Sequence, residues 1–178
     1  MVDLGLSVLW AKCNLGAQSE TEYGDYYQWA ATTPLSVSGT TVDWHLCPYT
    51  TDGETFEKYT GSDYPTLQTE DDAVASQFTG YRMPTRGNFQ ELLNQTNHSW
   101  VKDFNGSGVN GHKFTSKSDS SKYIFLPATG TCYDSELILL GQGGGYWSSS
   151  IDASNPIHAV RLYVGSEFYN IDDGSRAH

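Results

Sequence analysis

From residue 111 to residue 171 the chain reads as five short strand-like stretches, 111–116, 123–128, 146–150, 159–164 and 167–171, parted by Gly, Asp, Asn and Ser turns. β-Branched and aromatic residues in runs this short, with turn chemistry between them, specify an antiparallel sheet. The fourth stretch is the most regular. Leu162, Val164 and Ser166 fall on one side of an alternating strand, and Arg161, Tyr163, Gly165 and Glu167 on the other. A fixed core side can therefore carry a different outer side. The class is α+β, with most of the sheet in the C-terminal half.

Upstream the pattern changes. Val2, Leu4, Leu6, Val8 and Trp10 alternate at period two, which predicts an opening strand with one buried face. The stretch 16–67 is dense in Tyr, Thr, Gly and Asp, with Trp29 and Trp44 as isolated large apolar groups. Long loops pinned by buried aromatics have this composition. Two short helices are expected. Thr69, Glu70, Asp71 and Asp72 ahead of Ala73, Val74 and Phe78 form a capping-box pattern with acids in the first turn. Thr85 can cap a second helix whose Phe89, Leu92 and Leu93 make one apolar stripe.

A length of 178 residues suits a single domain, residues 1–178, which buries roughly 70% of its unfolded surface. The formal net charge of −11 argues against gripping a phosphate backbone, so nucleic acid and anionic membrane surfaces are excluded as partners. Residues 1–72 hold 12 acidic residues and 2 basic ones, the signature of a solvated acidic face. Leu137, Ile138, Leu139 and Leu140 make the longest aliphatic run, far short of the ~20 residues of a spanning helix. Membrane insertion is not expected, and no basic-then-apolar leader opens the chain.

The sequence carries few chemical motifs. Gly141, Gln142, Gly143, Gly144 and Gly145 lack the Gly-Lys-Ser/Thr ending of a phosphate loop and read as a tight turn where backbones approach closely. Ser148, Ser149 and Ser150 sit in no nucleophile elbow and are expected to make cross-strand hydrogen bonds. The five histidines show no zinc spacing, and Cys13, Cys47 and Cys132 contain no CxxC pair. Glu70, Asp71 and Asp72, like Asp172 and Asp173, do not follow the acid spacing of a calcium loop. The expectation is a protein that is not an enzyme and needs neither cofactor nor metal.

Several segments, taken in order, carry a resemblance: Val2-Asp3-Leu4-Gly5-Leu6-Ser7-Val8 with Trp10-Ala11, Cys13-Asn14 and Gly16-Ala17, then Glu22-Tyr23-Gly24-Asp25-Tyr26, Glu70-Asp71-Asp72-Ala73, Tyr81-Arg82-Met83-Pro84-Thr85, Phe125-Leu126-Pro127-Ala128 and Tyr146-Trp147-Ser148-Ser149-Ser150. They resemble the landmarks of the Fibrobacter succinogenes major paralogous domain family and span nearly the whole chain. The resemblance implies a C-type lectin-like fold of the formylglycine-generating-enzyme kind, with two short helices, long loops and an antiparallel sheet mostly in the C-terminal half. It also implies that the first strand pairs near the last. Typical members continue with a segment of the Gly-Phe-Ser-Val-Arg kind as that last strand. None follows His178, which implies truncation or a different closure. Members of the family include variable proteins of diversity-generating retroelements, in which an error-prone reverse transcriptase rewrites adenines near the 3′ end of the gene.

On this resemblance, residues 157–178 are a variable region and the chain is a ligand-binding or adhesion module on a scaffold locked by Trp10, Trp29 and Trp147. Randomised AAC or AAT codons never yield Lys, Gln, Glu, Met, Trp or a stop, and among the 22 residues from 157 to 178 only Glu167 is of an excluded type. The implied site comprises Ile157, His158, Val160, Arg161, Tyr163, Gly165, Phe168, Asn170, Asp172, Asp173 and Ser175. It mixes aromatic and Arg anchors with adaptable hydrogen-bonding groups. The ligand is expected to be a protein or glycan on a cell surface, and the location a cell surface or phage particle, with any leader removed. Two alternatives stand beside this. One is a formylglycine-generating-enzyme-like enzyme, whose paired cysteine site is in doubt because Cys132 has no near partner in sequence. The other is a calcium-dependent carbohydrate-binding lectin, whose Glu-Pro-Asn and Trp-Asn-Asp patterns are only echoed by Asn155-Pro156 and Trp147-Ser148.

Overall fold

Short β-rich segments can bury apolar surface only by pairing, and the second half of the chain pairs almost throughout. The computed structural model describes residues 1–61 and 63–176. In chain order its elements are β1 (Ser36–Ser38), β2 (Thr41–Asp43), α1 (Arg86–Gln95), β3 (Thr96–Val101), β4 (Gly111–Ser116), β5 (Tyr123–Pro127), β6 (Thr131–Tyr133), β7 (Glu136–Ile138), β8 (Gly143–Ile151), β9 (His158–Gly165) and β10 (Tyr169–Ser175). Three antiparallel sheets result, in the orders β3-β4-β5, β10-β9-β8 and β1-β2-β7-β6. The fold is mostly antiparallel sheet with one α-helix among the described residues, in the α+β class.

The helix begins where Thr85 holds an extended conformation while its Oγ1 accepts from the Asn88 amide at 3.2 Å. Asn88 Oδ1 accepts from the Thr85 amide at 3.0 Å, closing a capping box with Asn in the place of Glu. At its other end the Thr96 hydroxyl donates to the Leu92 carbonyl at 2.6 Å, and the chain passes straight into β3. Phe89 and Leu92 then pack with Leu4 between Phe114 and Ile124 of one sheet and Leu162 and Val164 of another. Each of these side chains contributes about 1.5–3 kcal/mol through burial. A second core gathers Trp29, Tyr59, Leu67, Ile151 and Ala159, and a third gathers Leu35, Val42 and Leu137.

Two expected elements do not form. Residues 69–80 make a string of turns, because the Asp72 carboxylate accepts from the Val74 and Ala75 amides and, across the turn, from Met83. A carboxylate engaged on both sides holds the chain in a turn where a helix would continue. The opening strand is also absent. Gly5 takes φ +78° and donates its amide to the Asp3 carboxylate, so the chain folds back and Val2 bonds to Trp10 at 2.7 and 3.0 Å. The predicted burial alternation nevertheless holds, with Leu4 buried, its even-numbered neighbours half-buried and the odd positions exposed. The expected pairing of this segment with the last strand is not made. The N-terminal segment joins the C-terminal sheet through Leu4 in the shared core.

β3 and β4 bring two histidines together: His98 Nδ1 lies 3.0 Å from His112 Nε2, with Phe114 stacked on His98 and tilted against His112, and Tyr169 of β10 edge-on to His98. Burial, with the nearby His98 adding to it, lowers His112 to about 4. The folded state therefore binds fewer protons here than the unfolded chain, whose histidine titrates near 6.5. This contribution is complete above about pH 6.5, declines as the pH falls toward 4, and amounts to at most about 3 kcal/mol. In urea melts at stepped pH, the midpoint is expected to fall over that window. His112→Asn should flatten the decline, and a parallel curve for the variant would remove His112 as its source.

Candidate functional site

Register decides which side chains share a face. Arg161 stands opposite Trp147 and Asp172, Tyr163 opposite Gly145 and Asn170, and Gly165 opposite Gly143. These positions, with Gly174, make one face of the C-terminal sheet, while Leu162 and Val164, both 0% exposed, point from the other into the core. The alternation expected for 161–165 is thus present.

The outer face is built on glycines. A Cβ on Gly143 would lie 2.2 Å from the Tyr163 hydroxyl, and one on Gly165 would lie 2.9 Å from the Tyr163 ring. The ring therefore lies across two bare backbones, and Phe168, 59% exposed, stacks on it with centroids 5.0 Å apart. Gly174 plays the same part for Arg161: a Cβ there would meet Trp147 at 3.0 Å and the guanidinium at 3.2 Å. Arg161 Nε donates to Asp172 Oδ1 at 2.9 Å. Both partners are partly exposed, so this pair contributes at most about 1 kcal/mol. Arg161, Asp172, Tyr163, Asn170 and Phe168 form a continuous strip that rests on the frame.

The remaining expected site residues do not join this strip. Val160 is 3% exposed and shares its side with Leu162, so its assignment to the binding surface is corrected. Gly165 is buried under the Tyr163 ring and offers no contact of its own. His158, Asp173 and Ser175 lie on the side of β9 and β10 opposite Arg161, where His158 Nδ1 meets Asp173 Oδ2 at 2.5 Å. Ile157 is exposed just ahead of β9. Period two forbids His158 and Arg161 from sharing a face. Conversely, Gly143, Gly145, Trp147 and Gly174 belong to the face and were missed. Alternate glycines beside a strand were the available signal, marking a bare surface for rings from the next strand.

Other motifs resolve into structural roles. Gly144 lies so close to Thr129 that a Cβ would come within 2.7 Å of its Oγ1, which fits the tight approach read from the glycine run. Ser148 Oγ donates across to the Val160 carbonyl at 2.8 Å, and Ser150 Oγ accepts from the Arg86 amide at 3.1 Å. Trp29 Nε1 donates to the Ser148 carbonyl at 2.8 Å, tying the long loop to β8. Asp71 is held by Lys58, Tyr49 and Tyr59. Among the described residues no group of three or more His, Cys, Asp or Glu side chains could hold a metal ion.

A cavity of about 260 Å³ lies beside β8, and both Cys13 and Cys132 line it. All three cysteines are free thiols. Cys13 Sγ donates to the Ala17 carbonyl at 3.4 Å, while burial pushes Cys132 up to about 11, well into the protonated range at neutral pH. No helix among the described residues is long and apolar enough to cross a membrane. Comparisons of the chain with protein-family models, curated proteins and solved structures find no match.

Proposed function

We infer that the chain is a non-enzymatic binding module that offers the outer face of β9 and β10 to a protein or glycan on a cell surface. The reading takes the frame to be C-type lectin-like and residues 157–178 to be a diversified segment, as in variable proteins of diversity-generating retroelements displayed on cells or phage. One observation carries it. The Arg161, Asp172, Tyr163, Asn170 and Phe168 strip alternates with Leu162 and Val164, so its side chains can change while the core beneath stays the same. Stacked rings with large area beside an Arg and an amide are the materials of a recognition surface.

An immobilised glycan array and a panel of purified surface proteins, probed with wild type and with Tyr163→Ala/Phe168→Ala, test this. Capture should drop at least tenfold in the variant, while the melting temperature falls by only a few degrees, since a partly exposed aromatic pair contributes about 1 kcal/mol. Retained capture, or a variant that no longer folds, would reassign both residues to the frame. An imperfect copy of the 3′ coding segment, differing at adenines and lying beside a reverse transcriptase gene, would support the diversified segment independently.

One observation favours a second reading, a formylglycine-generating-enzyme-like enzyme: Cys13 and Cys132 line the same cavity. Stoichiometric Cu(I) binding that needs both thiols would transfer the assignment to it. The raised Cys132 thiol weighs for the binding module.

A further inference from the structure

Four glycines lie on the outer face of the C-terminal sheet, and three are roofed by the chain's own side chains. The Tyr163 ring covers Gly143 and Gly165, and Trp147 with Arg161 covers Gly174. Gly145 stands open. A Cβ there would find Thr131 Oγ1 at 3.5 Å and Arg161 Cδ at 3.7 Å as its nearest neighbours, and no ring. The space beside it belongs to the cavity of about 260 Å³, since Gly145, Trp147 and Arg161 are members both of that face and of the cavity's lining. All three are half-buried, so the cavity is a cleft that opens next to the strip.

What the cleft can hold follows from its walls. Trp10, Tyr26, Met83, Phe89 and Tyr146 give it ring and thioether surface. Its polar side chains already bond within the chain: Tyr26 donates to the Thr129 carbonyl at 2.7 Å, Tyr146 to the Pro127 carbonyl at 2.6 Å and the Asn14 amide to the Tyr23 carbonyl at 2.9 Å. A sugar seated there would leave hydroxyls without partners, which is costly away from water, whereas an aromatic ring brings none. The volume exceeds the roughly 150 Å³ of an apolar cavity that holds benzene, so one aromatic side chain fits. The charged residues of the lining are unevenly matched. Lys12 is engaged by Glu20 at 3.7 Å and Arg161 by Asp172 at 2.9 Å, while the exposed Asp25 pairs with no cation among the described residues. The wall from residues 10–28 also belongs to the acidic part of a chain of net charge −11, so the cleft favours a ring carried beside a cation.

We propose that the cleft is the anchor pocket of the recognition face and takes one aromatic side chain of a protein partner, carried next to a lysine or arginine that meets Asp25. The ring lies over Gly145 as the Tyr163 ring lies over Gly143 and Gly165. One deeply seated aromatic side chain supplies much of the affinity of a protein interface, and the contacts around it exclude water. The inference rests on the reading of the strip as a recognition face and narrows its partner to a protein.

The probe is the peptide acetyl-Lys-Trp-Lys-amide, titrated into the full isotope-labelled chain and followed by NMR, beside acetyl-Lys-Ala-Lys-amide and acetyl-Glu-Trp-Glu-amide. The first should shift the Gly145 amide and Trp147 indole signals saturably, and the other two should bind at least tenfold more weakly. Asp25→Asn should remove most of the preference for lysine over glutamate. Gly145→Leu, whose side chain grows into the cleft, should bind the first peptide at least tenfold more weakly than wild type. No saturable shift at millimolar concentration overturns the proposal, as does equal binding of the alanine peptide, or a folded Gly145→Leu that binds as wild type does. Should Gly145→Leu fail to fold, the comparison of the peptides on wild type decides alone. Capture of glycans and of no protein by the wild-type chain would overturn the choice of partner. Tyr163→Ala/Phe168→Ala should still bind the tryptophan peptide as wild type does, so a failure of the strip reading and a failure of the cleft are told apart.

Discussion

Arg176→Ala is expected to destabilise the protein by about 4 kcal/mol and to lower its melting temperature by about 10 °C. Arg176 is 1% exposed. Its Nη1 donates to the carbonyls of Tyr59 at 2.9 Å and Pro156 at 2.8 Å, its Nη2 to Lys58 at 3.2 Å, and the guanidinium lies 3.7 Å over the Phe56 ring and 4.7 Å over Trp29. Burial lowers its pKa to about 10, so it remains a cation at neutral pH. Carbonyl dipoles and ring faces surround the buried charge, and the fork of donors matches three carbonyls that no other side chain type reaches at once. Truncation leaves a void and unmet carbonyls together. Two further variants separate these causes in thermal melts. Arg176→Met fills much of the volume but donates nothing, and Arg176→Lys keeps the charge without the fork. Both are expected to lose about half as much as the alanine variant. Wild-type stability in Arg176→Met would show that only volume matters there. Because Arg176 directly follows β10, it ties the strand bearing Asn170 and Asp172 to the 58–60 loop, so the recognition strip depends on it at second hand.

That anchor was invisible in the sequence, and the reason is general to this chain. Local periodicity located β4 to the residue and the cap of α1, because strand alternation and capping are nearest-neighbour effects. The same alternation located the buried side of β9. β3 escaped notice because its half-buried positions carry His98 and Trp100 amid Asn97 and Ser99, so composition masks the period. The helix expected after Thr69 failed through Asp72, whose carboxylate bonds forward to Met83, a contact eleven residues away that no capping rule contains. The candidate strip was half legible. Its alternation was readable, but the glycine bed from β8 and β10 depends on which strands become neighbours, and residues of the opposite side, His158 and Asp173, were swept in with it. Trp29 did pin the long loop as expected, through its indole bond to Ser148. The cations and carboxylates that hold the rest of that loop gave no periodic sign.

Asp71→Ala is the companion experiment on the other side of Tyr59, with an expected loss of about 3 kcal/mol and a melting temperature lowered by about 6–12 °C. The Asp71 carboxylate, 6% exposed, accepts from Lys58 Nζ at 2.6 Å, the Tyr59 hydroxyl at 2.6 Å and the Tyr49 hydroxyl at 2.5 Å. The Lys58 ammonium in turn lies 5.2, 5.1 and 5.7 Å from the ring centres of Tyr49, Tyr59 and Tyr64. Burial by itself would raise the acid's pKa, but Lys58 and the two hydroxyls outweigh it and hold Asp71 below the usual carboxylate range. The contribution is therefore complete above the unfolded carboxylate pKa near 4 and disappears as the pH falls below it. Alanine removes one acceptor and strands the Tyr49 and Tyr59 hydroxyls, while the Lys58 ammonium keeps only Glu70, at 3.3 Å. Removing both charges should hurt less than the sum, so Lys58→Met/Asp71→Ala is expected to melt above the temperature additivity gives. Additive losses would show that the ion pair contributes nothing beyond its separate hydrogen bonds. Coupling between Asp71→Ala and Arg176→Ala should appear too, since one holds the hydroxyl of Tyr59 and the other its carbonyl, and a loop released at either point has less left to lose at the other.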